Sequence, residues 1–145
     1  MGMESSIDIS ASGLKANRTW INVIASNLAN VNTSRTAEGT PYTRKTVIYE
    51  SVPNEGFAGE LNSAMSESSE KVEVADIVSD KRDFKEVYDP GHPDANEKGI
   101  VMMPNINTVE EMANLVNASR AYEANLAAMQ TAKQMTLKSI DIGAK

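Results

Sequence analysis

Cysteine is absent from the 145 residues of this chain, and aromatic side chains make up only 5% of it. The first absence excludes disulfide bonds, thiolate nucleophiles and cysteine-based zinc sites, although it does not fix the cellular compartment. The scarcity of Phe, Tyr and Trp is unfavourable for a wide globular core, because these residues supply much of the area that such cores bury. A chain of this length forms at most one ordinary domain.

Long apolar runs are also missing. No stretch approaches the ~20 residues of a membrane span. The first six residues, 1–6, have neither the basic region nor the continuous apolar region of a cleavable secretory signal. If the protein leaves the cytoplasm, we therefore expect a dedicated export route to carry it.

Signatures of catalysis are missing as well. The sequence contains no nucleophile elbow, phosphate-binding loop or dinucleotide fingerprint. The only histidine, His92, lies between Gly91 and Pro93 in a turn, and a structural role is predicted for it. Asp89 and Asp94 flank this turn and leave a weak metal site as the alternative. The sequence predicts that the protein is not an enzyme and has no catalytic, metal or cofactor site.

The net charge of −6 is concentrated in the middle of the chain. Residues 60–99 carry eleven acidic and five basic side chains, whereas the segments on either side are neutral. This distribution argues against a nucleic-acid partner, which needs a basic surface. The acidic segment is either a solvated insertion or a surface for a basic partner. Likewise, Arg35, Arg44 and Lys45 form either an acid-binding cluster or an ordinary exposed loop.

Apolar residues recur at three- and four-residue spacing near both ends of the chain, which is typical of coiled-coil seams. The first helix is predicted from Ser5 or Ser6 to about Asn32. The second is predicted from Thr108 to about Asp141, with Thr108 and Glu111 forming a capping box. A glycine inside the first helix, Gly13, indicates close approach of another backbone. Two such seams predict an assembly subunit. The candidate interface residues are Ile7, Leu14, Ile21, Ile24, Asn27, Leu28 and Asn30, with Met112, Leu115, Tyr122, Leu126, Met129, Leu137 and Ile140.

The segment between the helices reads as loops and short strands. Alternating and β-branched residues predict strands at 43–52, 71–78, 84–88 and 100–103. The stretch from Pro53 to Ser69 is rich in Gly, Ser, Asn and Glu and is predicted to be an exposed loop. The resulting division is a helical segment at 1–35, a middle segment at 36–107 and a helical segment at 108–145.

The chain resembles the flagellar basal-body rod and hook proteins. The resemblance begins in the first helix, at Ser10-Ala11-Ser12-Gly13-Leu14-Lys15-Ala16 and Ala25-Ser26-Asn27-Leu28-Ala29-Asn30. Segments 32–42, 89–95 and 104–125 are similar to the proximal-rod members in particular. One departure is Ile100, where the family often has an aromatic residue.

This resemblance implies a fold and a role. The fold would be mainly α, with two long terminal helices paired as an antiparallel coiled coil and a small β-containing insertion between them. The role would be that of a structural subunit in the periplasmic drive shaft that transmits motor torque to hook and filament. The subunit would pass through the flagellar type III export apparatus without a cleaved signal peptide. Its partners would be copies of itself and the rod proteins FlgB, FlgF, FlgG and FliE. The alternative is a cytoplasmic coiled-coil adaptor or an export-associated assembly protein.

Overall fold

Two long helices dominate the structure, a computed structural model that describes residues 3–53 and 70–143. Helix α1 spans Met3–Ala29 and helix α2 spans Thr108–Gly143. Between them lie strands β1 (Lys45–Pro53), β2 (Glu70–Ser79), β3 (Lys85–Tyr88) and β4 (Ile100–Met103). The predicted fold class is confirmed. The loop predicted after Pro53 lies outside the described residues.

The helices run antiparallel, and two contacts define their register. Asn27 of α1 bonds Glu111 of α2, and Gly13 of α1 lies against Asn125 of α2. The second contact is fourteen residues from the first along each helix, in opposite directions. The two helices therefore keep one antiparallel alignment over about 21 Å.

The helix ends differ from the sequence predictions. Helix α1 already includes Ser5 and Ser6, which therefore do not cap it, and it ends three residues early. At that end the side chain of Asn30 donates to the carbonyl oxygen of Ser26 at 2.9 Å. Such a bond offers the backbone an alternative to further helix, which explains the earlier end.

Strands β1 and β2 form a two-stranded antiparallel ribbon that packs against α1. The pairing shifts between Ile48 and Tyr49, which leaves Ala75 as an extra residue on β2. A bulge of this kind bends and twists a ribbon. Beyond it, the ring of Tyr49 meets Trp20 of α1 edge to face, with ring centroids 6.4 Å apart.

Strands β3 and β4 form a second antiparallel pair. Gly99 precedes β4 with a positive φ of 72°, and a Cβ there would lie 3.0 Å from the ring of Tyr88. This position therefore requires glycine. The pair ends at Met103, and Pro104 to Ile106, all buried, lead directly into α2.

The core is small and draws its residues from α1, β4, the segment before α2 and α2 itself. Its buried apolar side chains are Ala16, Val23, Ile24, Val101, Ile106 and Ala118. Most of them are small or medium in size, as the scarcity of aromatic residues predicts.

Candidate assembly interface

A buried carboxylate at the start of α2 connects the helix to two other segments. The side chain of Glu111 is 1% exposed. Its Oε1 accepts hydrogen bonds from Nε and Nη2 of Arg44, at 2.8 and 2.7 Å. Its Oε2 accepts from Nδ2 of Asn27 at 3.0 Å. Two donors from an arginine together with an amide are strong compensation for burying this charge.

Asn27 is equally buried and uses its whole side-chain amide. Besides Glu111, its Nδ2 donates to the backbone oxygen of Lys45 at 2.8 Å. Its Oδ1 accepts from the backbone N–H of Lys45 at 2.9 Å and from the hydroxyl of Tyr42 at 3.2 Å. The residue therefore pairs with the backbone at the start of β1 as a neighbouring strand would.

Arg44 extends the network to the end of β2. Its Nη1 donates to Asp80 at 3.1 Å, and its backbone N–H donates to the side chain of Asn105 at 2.8 Å. The amide of Asn105 in turn donates to the backbone oxygens of Asp80 and Arg82. We call Asn27, Arg44, Asp80, Asn105 and Glu111 the polar junction. Among the described residues, no buried side-chain N or O atom lacks a hydrogen-bond partner.

At the edge of the polar junction, which we call its rim, the exposed Arg82 pairs with Asp80. Burial alone would raise the pKa of Asp80, but hydrogen bonds from the backbone and guanidinium of Arg82, and from Arg44, outweigh it and lower that pKa. Arg82 also reaches Glu110 at 3.3 Å. The pKa of Arg82 is raised by these two carboxylates, so the side chain stays charged.

Helix α2 leaves most of its apolar surface uncovered. Large apolar side chains on it are exposed over its whole length, from 38% at Leu126 to 78% at Ile142. The full set is Val109, Met112, Val116, Leu126, Met135, Leu137, Ile140 and Ile142. Apolar exposure on this scale marks interaction surfaces on soluble proteins. We call these eight residues the outer face of α2.

The predicted interface residues fall into three groups. Ile24 and Asn27 are buried inside the subunit and have no surface left for a neighbour. Half-buried positions along the helix pair are Ile7, Leu14, Ile21, Leu28, Asn30, Leu115, Tyr122 and Met129. Exposed positions are Met112, Leu126, Leu137 and Ile140. Only the last group belongs to the outer face of α2.

Three predictions made from the sequence need correction. The helix cap is Asn107, whose Oδ1 accepts from the N–H of Val109 at 3.1 Å, and Glu111 is used in the polar junction instead. Arg44 is bonded within the subunit, so it does not form an acid-binding cluster with Arg35. Gly13 is approached by the side chain of Asn125 rather than by a backbone.

The histidine turn is held by local hydrogen bonds. The Nδ1 of His92 accepts from the backbone N–H of Asp94 at 3.1 Å. The carboxylate of Asp94 accepts from Ser34 at 2.8 Å, and that of Asp89 accepts from the N–H of Gly91 at 3.1 Å. The side chains that flank the histidine thus fasten the turn and its neighbouring loop.

The polar junction was not predicted, although the sequence contains a signal for it. Asn27 follows Ile24 by three residues, and Glu111 precedes Leu115 and Ala118 by four and seven. These spacings place both polar residues on the apolar stripes of their helices. A polar residue on such a stripe predicts a buried partner.

Comparison with known proteins identifies the family. Residues 7–35 match the family described as "Flagella basal body rod protein", and residues 97–142 match "Flagellar basal body rod FlgEFG protein C-terminal". The chain is 44% identical to the flagellar basal-body rod protein FlgC of Bacillus subtilis, with 95% of this chain and 96% of that protein covered. It is 42% identical to FlgC of Borreliella burgdorferi, with 98% of each chain covered. The chain belongs to the FlgC family of flagellar basal-body rod proteins.

Membership confirms the resemblance found in the sequence. The chain is a structural subunit of the flagellar rod, and the cytoplasmic adaptor is not favoured. FlgC of Escherichia coli O6:H1 is a further relative, at 38% identity over 99% of both chains. Within the described ranges, no helix has the length and apolar character needed to cross a membrane.

Proposed function

We propose that this rod subunit assembles through the outer face of α2, in the proximal part of the flagellar rod. The observation that carries this proposal is the exposure of eight large apolar side chains on a helix whose main packing partner in the subunit is α1. Burying such side chains against a neighbour contributes about 25 cal/mol per Å² of apolar surface. A solvent-exposed helix without partners would not need them.

The geometry suits a filament. The outer face of α2 extends along a helix of 36 residues, which is about 54 Å long. Contacts that join one side of this helix to a different surface of the next subunit do not close on themselves, and they generate a helical tube. Torque along such a tube is shared among many long helices, which is how the rod would transmit it from motor to hook and filament.

The segments of the chain would have different places in this tube. Residues 1–35 and 108–145 would form the rod-building helix pair, and residues 36–107 would form the part attached to it. The ribbon of β1 and β2 supports this division, since it packs on the side of α1 and leaves the outer face of α2 free. The half-buried apolar residues of the pair would complete their burial at the edges of contacts with neighbours.

The location and partners follow from the family's role as rod proteins. We propose that the subunit is exported through the flagellar type III apparatus without a cleaved signal peptide and assembles in the periplasm. Its neighbours would be copies of itself and the rod proteins FlgB, FlgF, FlgG and FliE. A chain without cysteine suits this route, because no disulfide can form before export.

Two substitutions on α2 test the assembly surface. Leu126→Asp places a charge on the outer face of α2, while Ala128→Asp places the same charge on an exposed residue that two helical steps of about 100° turn to another side of the helix. Each variant would replace the parent chain in a strain that lacks it. We expect Leu126→Asp to abolish motility and complete rods in isolated basal bodies, and Ala128→Asp to retain both.

Export is the control for this experiment. Both variants should reach the periplasm in similar amounts, because transport uses the unfolded chain. Complete rods and normal motility with Leu126→Asp would show that the outer face of α2 is not an assembly surface.

A further inference from the structure

We propose that the polar junction and the contact between Gly13 and Asn125 are two register pins, which hold α1 and α2 in a single antiparallel alignment. The pins lie fourteen residues apart on each helix, at two levels of the pair. The inference concerns the fold of one subunit, so it stands or falls independently of the proposed assembly surface.

The helix pair needs such a device because its apolar pattern does not choose one alignment. Ile7, Leu14, Ile21 and Leu28 repeat every seven residues on α1. These four half-buried positions have the same spacing after a slip of seven residues, so they do not by themselves choose one alignment. Small buried residues such as Ala118 fit several registers, since they present little shape to a partner.

The first pin makes a slip costly through unpaired charge. A slip of seven residues would carry Glu111 away from Asn27 and Arg44, which donate all three of its short hydrogen bonds. Asn27 would keep its bonds to the start of β1, because those bonds lie within the other part of the fold. A buried carboxylate stripped of its partners is strongly disfavoured. Buried polar residues that fix register in this way are well attested in coiled coils.

The second pin makes a slip costly through space. A Cβ added at Gly13 would lie 2.9 Å from Nδ2 of Asn125, so the amide occupies the room that the missing side chain leaves. A slip of seven residues would set Asn125 against Trp20 or Ser6 instead. Gly13 is the only glycine of α1, so no other position on the helix accepts this side chain as closely.

The absence of cysteine makes the register measurable by disulfide trapping in the full chain. The alignment places Ile9 beside Met129, so Ile9→Cys with Met129→Cys reports the native register. Ile9→Cys with Thr136→Cys reports a slip of seven residues. Diamide oxidises each pair, and the rate of cross-link formation is followed by mass spectrometry of the monomer. In the parent chain we expect the native pair to form at least about tenfold faster.

Removing each pin should then reduce this preference. The variant Asn27→Leu with Glu111→Leu replaces the polar contact between the helices by an apolar one, and we expect the ratio of the two rates to fall while helical circular dichroism is retained. The control Arg82→Gln alters only the exposed rim of the polar junction and should keep the parent ratio. Gly13→Leu displaces Asn125 and so tests the second pin separately. It also provides a test of the proposal if the double variant does not fold.

The inference would be overturned by either of two results. One is a parent chain that forms both cross-links equally fast. The other is an unchanged ratio of rates in the folded variants that lack a pin.

Discussion

The two long helices lie at opposite ends of the chain, and the rest of the subunit covers them to very different extents. Helix α1 is packed on two sides: α2 covers one, and the ribbon of β1 and β2 covers another through contacts such as Trp20 with Tyr49. None of its large apolar side chains in residues 5–29 is exposed. Helix α2 is packed mainly against α1, and eight of its large apolar side chains are exposed. Two helices with apolar residues at three- and four-residue spacing thus differ in how far the rest of the subunit covers them.

The largest expected effect is a difference in stability between alanine substitutions of one isoleucine on each helix. Ile24 of α1 is 1% exposed, whereas Ile140 of α2 is 61% exposed. Ile24→Ala should lower the free energy of unfolding by about 2–5 kcal/mol, because it leaves a cavity in a small core. Ile140→Ala should change it by less than about 0.5 kcal/mol. Urea unfolding of the purified chain, followed by circular dichroism, measures both, and equal losses would contradict the contrast between the helices.

A smaller effect is expected where α2 itself enters the core. Glu111 and Glu110 are adjacent, but their side chains are 1% and 42% exposed. Glu111→Gln removes the charge that Arg44 pairs with and should cost about 2 kcal/mol of stability. Glu110→Gln weakens an exposed pair with Arg82 and a longer one with Arg44, at 3.8 Å, and should cost less than about 1 kcal/mol. The same urea experiment applies. If Glu110→Gln proved the more damaging change, the first turn of α2 would not be a core element.

The sequence predicted the helices, all four strands and the family, because each rests on local patterns. Periodicity shows which positions of a helix are apolar, but not which of them the rest of the subunit covers. It could not show that the ribbon of β1 and β2 would cover α1, because that contact joins distant parts of the chain. Leu14 and Leu126 therefore looked equivalent, although only Leu126 is exposed.

The polar junction was beyond local patterns for the same reason. Glu111 fits a capping box three residues after Thr108, and only the fold shows that Arg44 and Asn27 claim its oxygens instead. Arg44 likewise reads as one of several basic loop residues until Asp80 and Glu111 are seen beside it. The burial of these polar residues depends on partners that are distant in the sequence. Their roles were therefore predicted less well than the helices and strands, which rest on local patterns.

The smallest expected effect is on the pH dependence of stability, where the ribbon of β1 and β2 is attached to the helix pair. The folded state lowers the pKa of Asp80, since hydrogen bonds from Arg82 and Arg44 outweigh the effect of burial. A lowered folded pKa contributes stability that is fully present above the unfolded pKa, near 4, and is lost as the pH falls through the folded value. Asp80→Asn should therefore lose less stability between pH 6 and pH 3 than the parent chain does. Asp83→Asn, a change at an exposed aspartate three residues away, is the matched control and should leave this loss unchanged. If Asp80→Asn loses as much stability in acid as the parent and the control, the carboxylate does not strengthen the ribbon's attachment. The attachment would then rest on the other contacts of the polar junction, such as those of Arg44 with Glu111 and of Asn27 with Lys45.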